Sequence, residues 1–267
     1  MITIKTDEQI AGMKRAGEIL SKTHLAIRSI LRPGLTTLQV NDFADAFMRY
    51  KNAIPAQLGY EGFPFALCTS VNDEVCHGYP NDRALQEGDI LSIDNVVSYE
   101  GYLADSCWSY AIGTLSEEDQ RLFDVTREAM YRGIQAARVG NHLVDIGRAI
   151  QPFVEENGFS VVRAFVGHGI GKEMHEDPQV LHYVTGHRGV RLRENMVITV
   201  EPMVNAGTWE VKVDEENGWV ATTADGKKSC QFEHTFAIRK EGPEILTEQK
   251  NAALTQEEQE WIAGYRW

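Results

Sequence analysis

Behind Thr6-Asp7-Glu8-Gln9, apolar residues return at three- and four-residue intervals: Ile10, Met13, Leu20, Ile27 and Leu31 fall on one helical face. Thr6 and Gln9 have the spacing of a capping box. Arg32-Pro33-Gly34 stops the run, and a second helix starts near Thr36 or Thr37 with Val40, Phe43, Ala44 and Phe47 inward. The period then shortens. Strand formers dominate from about Phe65 to Tyr110, broken by the turn-forming Pro80-Asn81-Asp82 and Glu87-Gly88-Asp89. Ser116 opens a third helix carrying Leu122, Val125, Met130 and Ile134, which Gly140 ends. A fourth covers roughly Leu143 to Asn157 and stops at Gly158. Strands follow to about Ile245, and Thr255 to Trp261 has the pattern of a short amphipathic helix.

The order helix, stop, helix, strands therefore occurs twice. At an offset of 106, Arg32 matches Arg138, Gly34 matches Gly140, Val40 matches Ile146 and Phe47 matches Phe153. Glu87 to Asp94 lies over Glu194 to Glu201, His77-x-x-Pro80 over His175-x-x-Pro178, and Asp105 over Glu233, with the offset drifting through 107, 98 and 128. Unusual residues pair up, not only apolar ones. The expected fold is α+β: one catalytic domain over 1–267, made of two αβ halves of about 1–115 and 116–267 related by a pseudo-two-fold axis.

Composition narrows the class. The 267 residues are 43% hydrophobic and 24% charged, the profile of a water-soluble globular chain. A net charge of −13 argues against binding to a nucleic-acid backbone. No apolar run approaches the roughly 20 residues of a membrane span, and Met1 to Thr6 has no signal-peptide core. Cys68, Cys76, Cys107 and Cys230 lack C-x-x-C spacing and read as reduced thiols of a cytoplasmic protein.

Against that background, four acids and one histidine stand out: Asp94, Asp105, His168, Glu201 and Glu233. Asp94, Asp105, Glu201 and Glu233 lie in or beside apolar strand-like runs, where an unpaired carboxylate costs several kcal/mol unless protonated, paired or bound to a cation. Taken singly, each reads as a strand-end or salt-bridged acid. Converging, they make an oxygen-rich pocket for two divalent cations of the Mn, Fe(II), Co or Zn type. Asp105 and Glu233 are the candidates to bridge the ions, and Glu201 the candidate general base. His168 is the ligand without a counterpart in the repeat. His175, seven residues on, is too far for a helical i, i+4 pair and is assigned to the substrate carbonyl. Gly167, Gly169 and Gly171 are expected to let backbone approach metal or substrate, and they lack the strand-turn-helix setting of a dinucleotide site. His24, His142, His182, His187 and His234 are assigned surface or packing roles, with His234 on the face opposite Glu233.

At these residues the chain resembles the type I methionine aminopeptidases, of the pita-bread fold. The matching segments are Ser70 to Gly78, Ile93-Asp94, Ala104-Asp105-Ser106, Gly167 to Gly171, His175 to Val180, Val200 to Asn205 and Phe232 to Thr235. The resemblance implies a curved antiparallel sheet covered by helices, and removal of the initiator methionine from nascent proteins when the second residue is small and uncharged. It implies one metal on Asp94, Asp105 and Glu233, and another on Asp105, His168, Glu201 and Glu233. His77 would lie near the scissile amide nitrogen and His175 near the carbonyl oxygen. Tyr60, Phe63, Cys68, Met174 and Trp219 would form the methionine pocket. The implied setting is a cytoplasmic monomer acting on nascent N-termini near the ribosome, with no nucleic-acid or membrane partner.

His168 to Glu201 spans only 33 residues, without the insertion of type II enzymes. Only about 60 residues precede the first motif strand, where aminopeptidase P and prolidase usually have a substantial N-terminal domain and eukaryotic type I enzymes have a zinc-finger extension, so the bacterial-style form is expected. Asn95, Val96, Ser106, Met174 and Glu61 depart from the commonest family pattern and bear on metal tuning and the methionine pocket. Two competing readings are an X-Pro peptidase on the same scaffold and a metal-free peptide-binding module.

Overall fold

Side-chain caps fix most of the helix starts. In the computed structural model, which describes residues 2–250 and 252–267, Thr6, Thr36 and Ser116 accept hydrogen bonds from the backbone N–H of Gln9, Gln39 and Asp119. Gln9 and Gln39 return the bond to complete capping boxes. The helices are α1 (Asp7–Ile30), α2 (Thr37–Tyr50), α3 (Glu117–Ala136), α4 (Leu143–Glu156) and α5 (Gln256–Gly264). Two ends differ from the sequence reading. Helix α3 stops at Ala136 rather than Gly140, because Ala137 already leaves helical geometry. Gly140 instead turns the chain into α4, with φ +94° and its N–H on the Leu192 carbonyl. Helix α5 runs three residues past Trp261.

The strands are β1 (Ile54–Pro55), β2 (Cys68–Val71), β3 (Glu74–Cys76), β4 (Ile90–Tyr99), β5 (Tyr102–Ala111), β6 (Ser160–Val161), β7 (Gly167–Gly169) and β8 (Glu176–Val180). They continue as β9 (Val197–Val200), β10 (Met203–Asn205), β11 (Val211–Val213), β12 (Ala221–Thr223), β13 (Ser229–Gln231), β14 (His234–Arg239) and β15 (Gly242–Ile245). Every pairing is antiparallel, and the hydrogen bonds divide the expected single curved sheet into four ladders. The longest is the β4–β5 hairpin, closed by Glu100 and Gly101, both in the left-handed region (φ +52° and +80°), which suits a tight hairpin turn. A five-stranded ladder runs β15-β14-β9-β7-β8, and β12 pairs with β3 across a sequence gap of more than 140 residues.

Helix α1 lies against β4 and β5, and α2 against α1 and β1; Leu20, Ile27, Phe43 and Phe47 share one buried core with Leu91, Ile93 and Val97. Helices α3 and α4 pack on each other and bury Leu122, Met130, Ile146 and Ile150 with Ile198, Val200 and Phe232. Helix α5 closes on α2, where Trp261 stacks on Tyr50 at 5.1 Å and meets Phe47 edge-on at 5.4 Å. Among the described residues, no helix is long and apolar enough to cross a membrane.

Candidate metal centre

Strand register brings the first two acids together. Asp94 pairs with Cys107 and Asp105 with Val96, so both carboxylates leave one face of the β4–β5 hairpin. Asn95 and Ser106, directly opposite each other, leave the other face, where Ser106 meets His24 of α1. His168 is the middle residue of β7. Glu201 lies one residue beyond β9, and Glu233 bridges the gap between β13 and β14 with its N–H on the Cys107 carbonyl. The second pair of acids therefore sits at strand ends rather than within strands.

All five side chains line one cavity of about 160 Å³. Ligand atoms of Asp105, His168 and Glu233 lie within 4.8 Å of one another. His168 Nε2 is 3.6 Å from Asp105 Oδ2 and 3.5 Å from Glu201 Oε1. Asp94 accepts from Gln57 Nε2 at 3.2 Å. His168 Nδ1 lies 2.9 Å from the Gly169 carbonyl. A carbonyl only accepts, so Nδ1 carries the proton and Nε2 turns its lone pair to the acids, the tautomer a metal ligand needs.

Burial makes this cluster costly without a cation. It pushes the Asp94 carboxyl up to about 6 and Glu201 up to about 8. Asp105 and Glu233 are driven well above the carboxylate range by burial and by repulsion from the neighbouring acids. Burial likewise lowers His168 to about 4 and keeps it neutral. Among the described residues, no Lys or Arg lines the cavity. Asp105 Oδ1 and Glu233 Oε1 are buried without a hydrogen-bond partner among the described residues. Carboxylate oxygens with no protein donor, facing a neutral imidazole, fit divalent metal cations.

Supporting groups that the sequence did not reveal hold the donors. Thr199 Oγ1 donates to Glu201 Oε1 at 2.7 Å and accepts the His168 N–H at 3.0 Å. Thr235 Oγ1 donates to the Asp105 carbonyl at 2.7 Å and accepts the Asp105 N–H at 3.2 Å. His182 is fully buried and its Nε2 accepts the Glu201 N–H at 3.0 Å, a specific bond beyond generic packing. Gln57 and Gln231 also line the cavity. Thr199 and Thr235 each stand two residues from a candidate acid, the spacing that shares a strand face, and that was the available signal. His234 turns away, as expected, and its Nδ1 meets Thr247 Oγ1 at 2.8 Å.

Two of the glycines lie close to neighbouring backbone. A Cβ on Gly167 or Gly169 would lie 2.6 Å from the Thr199 carbonyl oxygen or 2.2 Å from that of Asp177. They permit close strand packing around His168. The four cysteines are free and buried; Cys68 and Cys76 line the cavity, with thiols raised chiefly by burial.

His77, His175, Tyr60, Phe63, Cys68, Met174 and Trp219 line the same cavity, joined by Phe165, Val166 and Met203. Phe63 meets Trp219 edge-on at 5.1 Å and Tyr79 at 5.3 Å. His77 takes a left-handed φ of +56°, and its ring meets Phe165 at 5.3 Å. Burial lowers it to about 4. His175 sits at the exposed mouth, its ring 4.4 Å from that of His168 and its Nδ1 2.8 Å from Tyr60 Oη. Glu61, also with a left-handed φ (+47°), lies outside the cavity wall but acts on His175 electrostatically.

The class defined by fold and site is a metallopeptidase: the model of metallopeptidase family M24 matches residues 11–240. Methionine aminopeptidase 1 of Bacillus subtilis (strain 168) is 45% identical over 92% of this chain and 99% of its own. Methionine aminopeptidase of Clostridium acetobutylicum is 46% identical over the same shares. The crystal structure of methionine aminopeptidase from Rickettsia prowazekii superposes with a TM-score of 0.91 at 43% identity, covering 93% of this chain and 100% of that one. The Xaa-Pro dipeptidase of Bacillus anthracis, at 23% identity and a TM-score of 0.74, shares the fold; this chain covers 62% of it. The chain belongs to metallopeptidase family M24 and, within it, to the methionine aminopeptidases.

Proposed function

We propose that the chain hydrolyses the peptide bond after an N-terminal methionine, releasing the initiator residue of new proteins whose second residue is small and uncharged. The observation that carries this reading is the convergence of three buried acids, the partly buried Asp94 and a neutral imidazole, with no lining Lys or Arg among the described residues, in a cavity also lined by aromatic, thiol and thioether groups. Two divalent cations of the Co, Mn, Fe(II) or Zn type complete the site. Asp94, Asp105 and Glu233 would hold one, and Asp105, His168, Glu201 and Glu233 the other. Bound there, the ions would polarise the scissile carbonyl and make water nucleophilic at neutral pH.

The rest is work for the protein's own groups. Glu201 accepts the proton of the attacking water, held in place by Thr199. His175 serves the carbonyl oxygen: with Tyr60 Oη donating to Nδ1, its Nε2 carries the proton that faces the substrate. His77 serves the scissile nitrogen. Tyr60, Phe63, Cys68, Met174 and Trp219 take the methionine side chain. The substrates are nascent N-termini near the ribosome, and the enzyme acts as a cytoplasmic monomer.

The shared fold of Xaa-Pro peptidases sets the competing reading. With Co or Mn added, the protein should cleave Met-Ala-Ser and leave Ala-Pro intact. The reverse preference would assign it to X-Pro substrates, and no cleavage of either would support a binding module.

A further inference from the structure

The segment before α1 and the loop that carries His175 meet at one partly buried carboxylate, that of Glu176. Lys5 is 6% exposed, and its Nζ lies 2.7 Å from Glu176 Oε2. Thr3 Oγ1 donates to the same oxygen at 2.6 Å and is itself bonded by Lys5 Nζ. The Lys5 N–H is fixed on the Asn195 carbonyl at 2.9 Å. The second oxygen, Oε1, accepts the backbone N–H of Lys172 at 2.8 Å and that of Glu173 at 3.4 Å. Glu176 thus holds the N-terminal segment with one oxygen and the loop leading to Met174 and His175 with the other. The fit is close, since a Cβ on Gly171 would lie 2.6 Å from Lys5 Cε and 2.7 Å from Glu176 Oε1. Burial would raise the Glu176 carboxyl, but Lys5 and Thr3 override it and hold it down to about 2.

We propose that Lys5 is a positioning residue for His175, acting through Glu176 and the 171–175 loop. Besides this anchor, among the described residues the His175 ring is hydrogen-bonded to Tyr60 alone. Breaking a largely buried ion pair from one side leaves the other charge uncompensated. In Lys5→Met, Glu176 would rearrange toward water and release the amides of Lys172 and Glu173, and the imidazole would lose its fixed placement. Misplacement of a catalytic group by about 1 Å can cost on the order of 100-fold in rate. Lys5 lies outside residues 11–240, the span matched by the family model, and touches neither the cavity nor its metal donors.

This inference rests on the role proposed for His175, so its test has one readout independent of activity. The metal-loaded wild type, Lys5→Met, Glu176→Gln and Lys5→Arg are compared by steady-state kinetics on Met-Ala-Ser and by amide hydrogen exchange. Lys5→Met and Glu176→Gln should lose about 10- to 100-fold in kcat with KM nearly unchanged, the split expected for an interaction used in the transition state. The amides of Lys172 and Glu173 should exchange at least about 10-fold faster, while those of the β4–β5 hairpin keep their protection. Lys5→Arg, which retains the charge, should recover most of both. Wild-type protection at Lys172 and Glu173 in Lys5→Met would overturn the proposal, as would faster exchange there with wild-type kcat. A wild type inactive on methionyl peptides would reject the functional reading, and the exchange data would still decide whether the anchor exists.

Discussion

Replacing Glu258 with Gln removes one charge from the joint that fixes α5 to the body of the protein. The Glu258 residue is 1% exposed and accepts from Lys22 Nζ at 2.9 Å and Lys51 Nζ at 2.5 Å. It also caps α5, accepting the Thr255 N–H at 2.8 Å, a bond that a glutamine oxygen can keep. Burial opposes ionisation, but Lys51, the cap and Lys22 outweigh it and bring the carboxyl from 4.5 down to about 2. At 1.36 kcal/mol per pKa unit that gives a ceiling of about 3 kcal/mol. Both lysines are 25% exposed, so water screens the pair and we expect about 1–2 kcal/mol lost at pH 7. The sign follows from the depressed carboxyl: the contribution is complete above 4.5 and fades as pH falls from 4.5 through about 2. Denaturant unfolding of wild type and Glu258→Gln would give a difference that is constant from pH 8 to about 5.5 and narrows below pH 4.5. Equal stabilities at pH 7, or a difference that does not narrow on acidification, would refute this reasoning.

Two further outcomes follow from the site. Tyr60→Phe deletes the hydroxyl 2.8 Å from His175 Nδ1; losing one orienting hydrogen bond of about 1–1.5 kcal/mol should lower kcat about 10-fold on Met-Ala-Ser while leaving metal content intact, and an unchanged kcat would remove Tyr60 from the account. Gly169→Ala places a methyl 2.2 Å from the Asp177 carbonyl oxygen; forcing β7 and β8 apart should cost about 2 kcal/mol or more and lower the Tm by several degrees, whereas a wild-type melting curve would show that the strands separate at no cost.

Local rules carried the helices well. Thr6 with Gln9, Thr36 with Gln39, and Ser116 cap their helices as their types and spacing require, because a cap is a bond between near neighbours. Gly140 misled because a glycine past a helix can belong to the turn after it as well as to the helix end. Four of the five candidate metal donors were legible because a charge in or beside an apolar strand is an anomaly visible in one dimension, and all four line one cavity with His168. Their supports were not: Thr199, Thr235, Gln57 and His182 are ordinary in composition, and their meaning lies in contacts across 2 to 130 residues of sequence. The same holds for Lys5 and Glu176, 171 residues apart, which no pattern links until β8 is paired with β7 and the N-terminal segment lies over the loop between them. Gly167 and Gly169 were noticed for close approach, but only the register shows Thr199 and Asp177 beside them.

The central claim is that Asp94, Asp105, His168, Glu201 and Glu233 together hold two divalent cations used to cleave methionyl peptides. The direct measurement is elemental analysis of gently purified protein, coupled to Met-Ala-Ser hydrolysis after anaerobic reconstitution, for wild type, Asp105→Asn and Glu233→Gln. Asp105 and Glu233 each carry a buried carboxylate oxygen without a partner among the described residues, so both substitutions should abolish tight metal retention and cleavage. The wild type should hold two ions and be active. Either variant retaining the full metal content and wild-type activity would contradict the account.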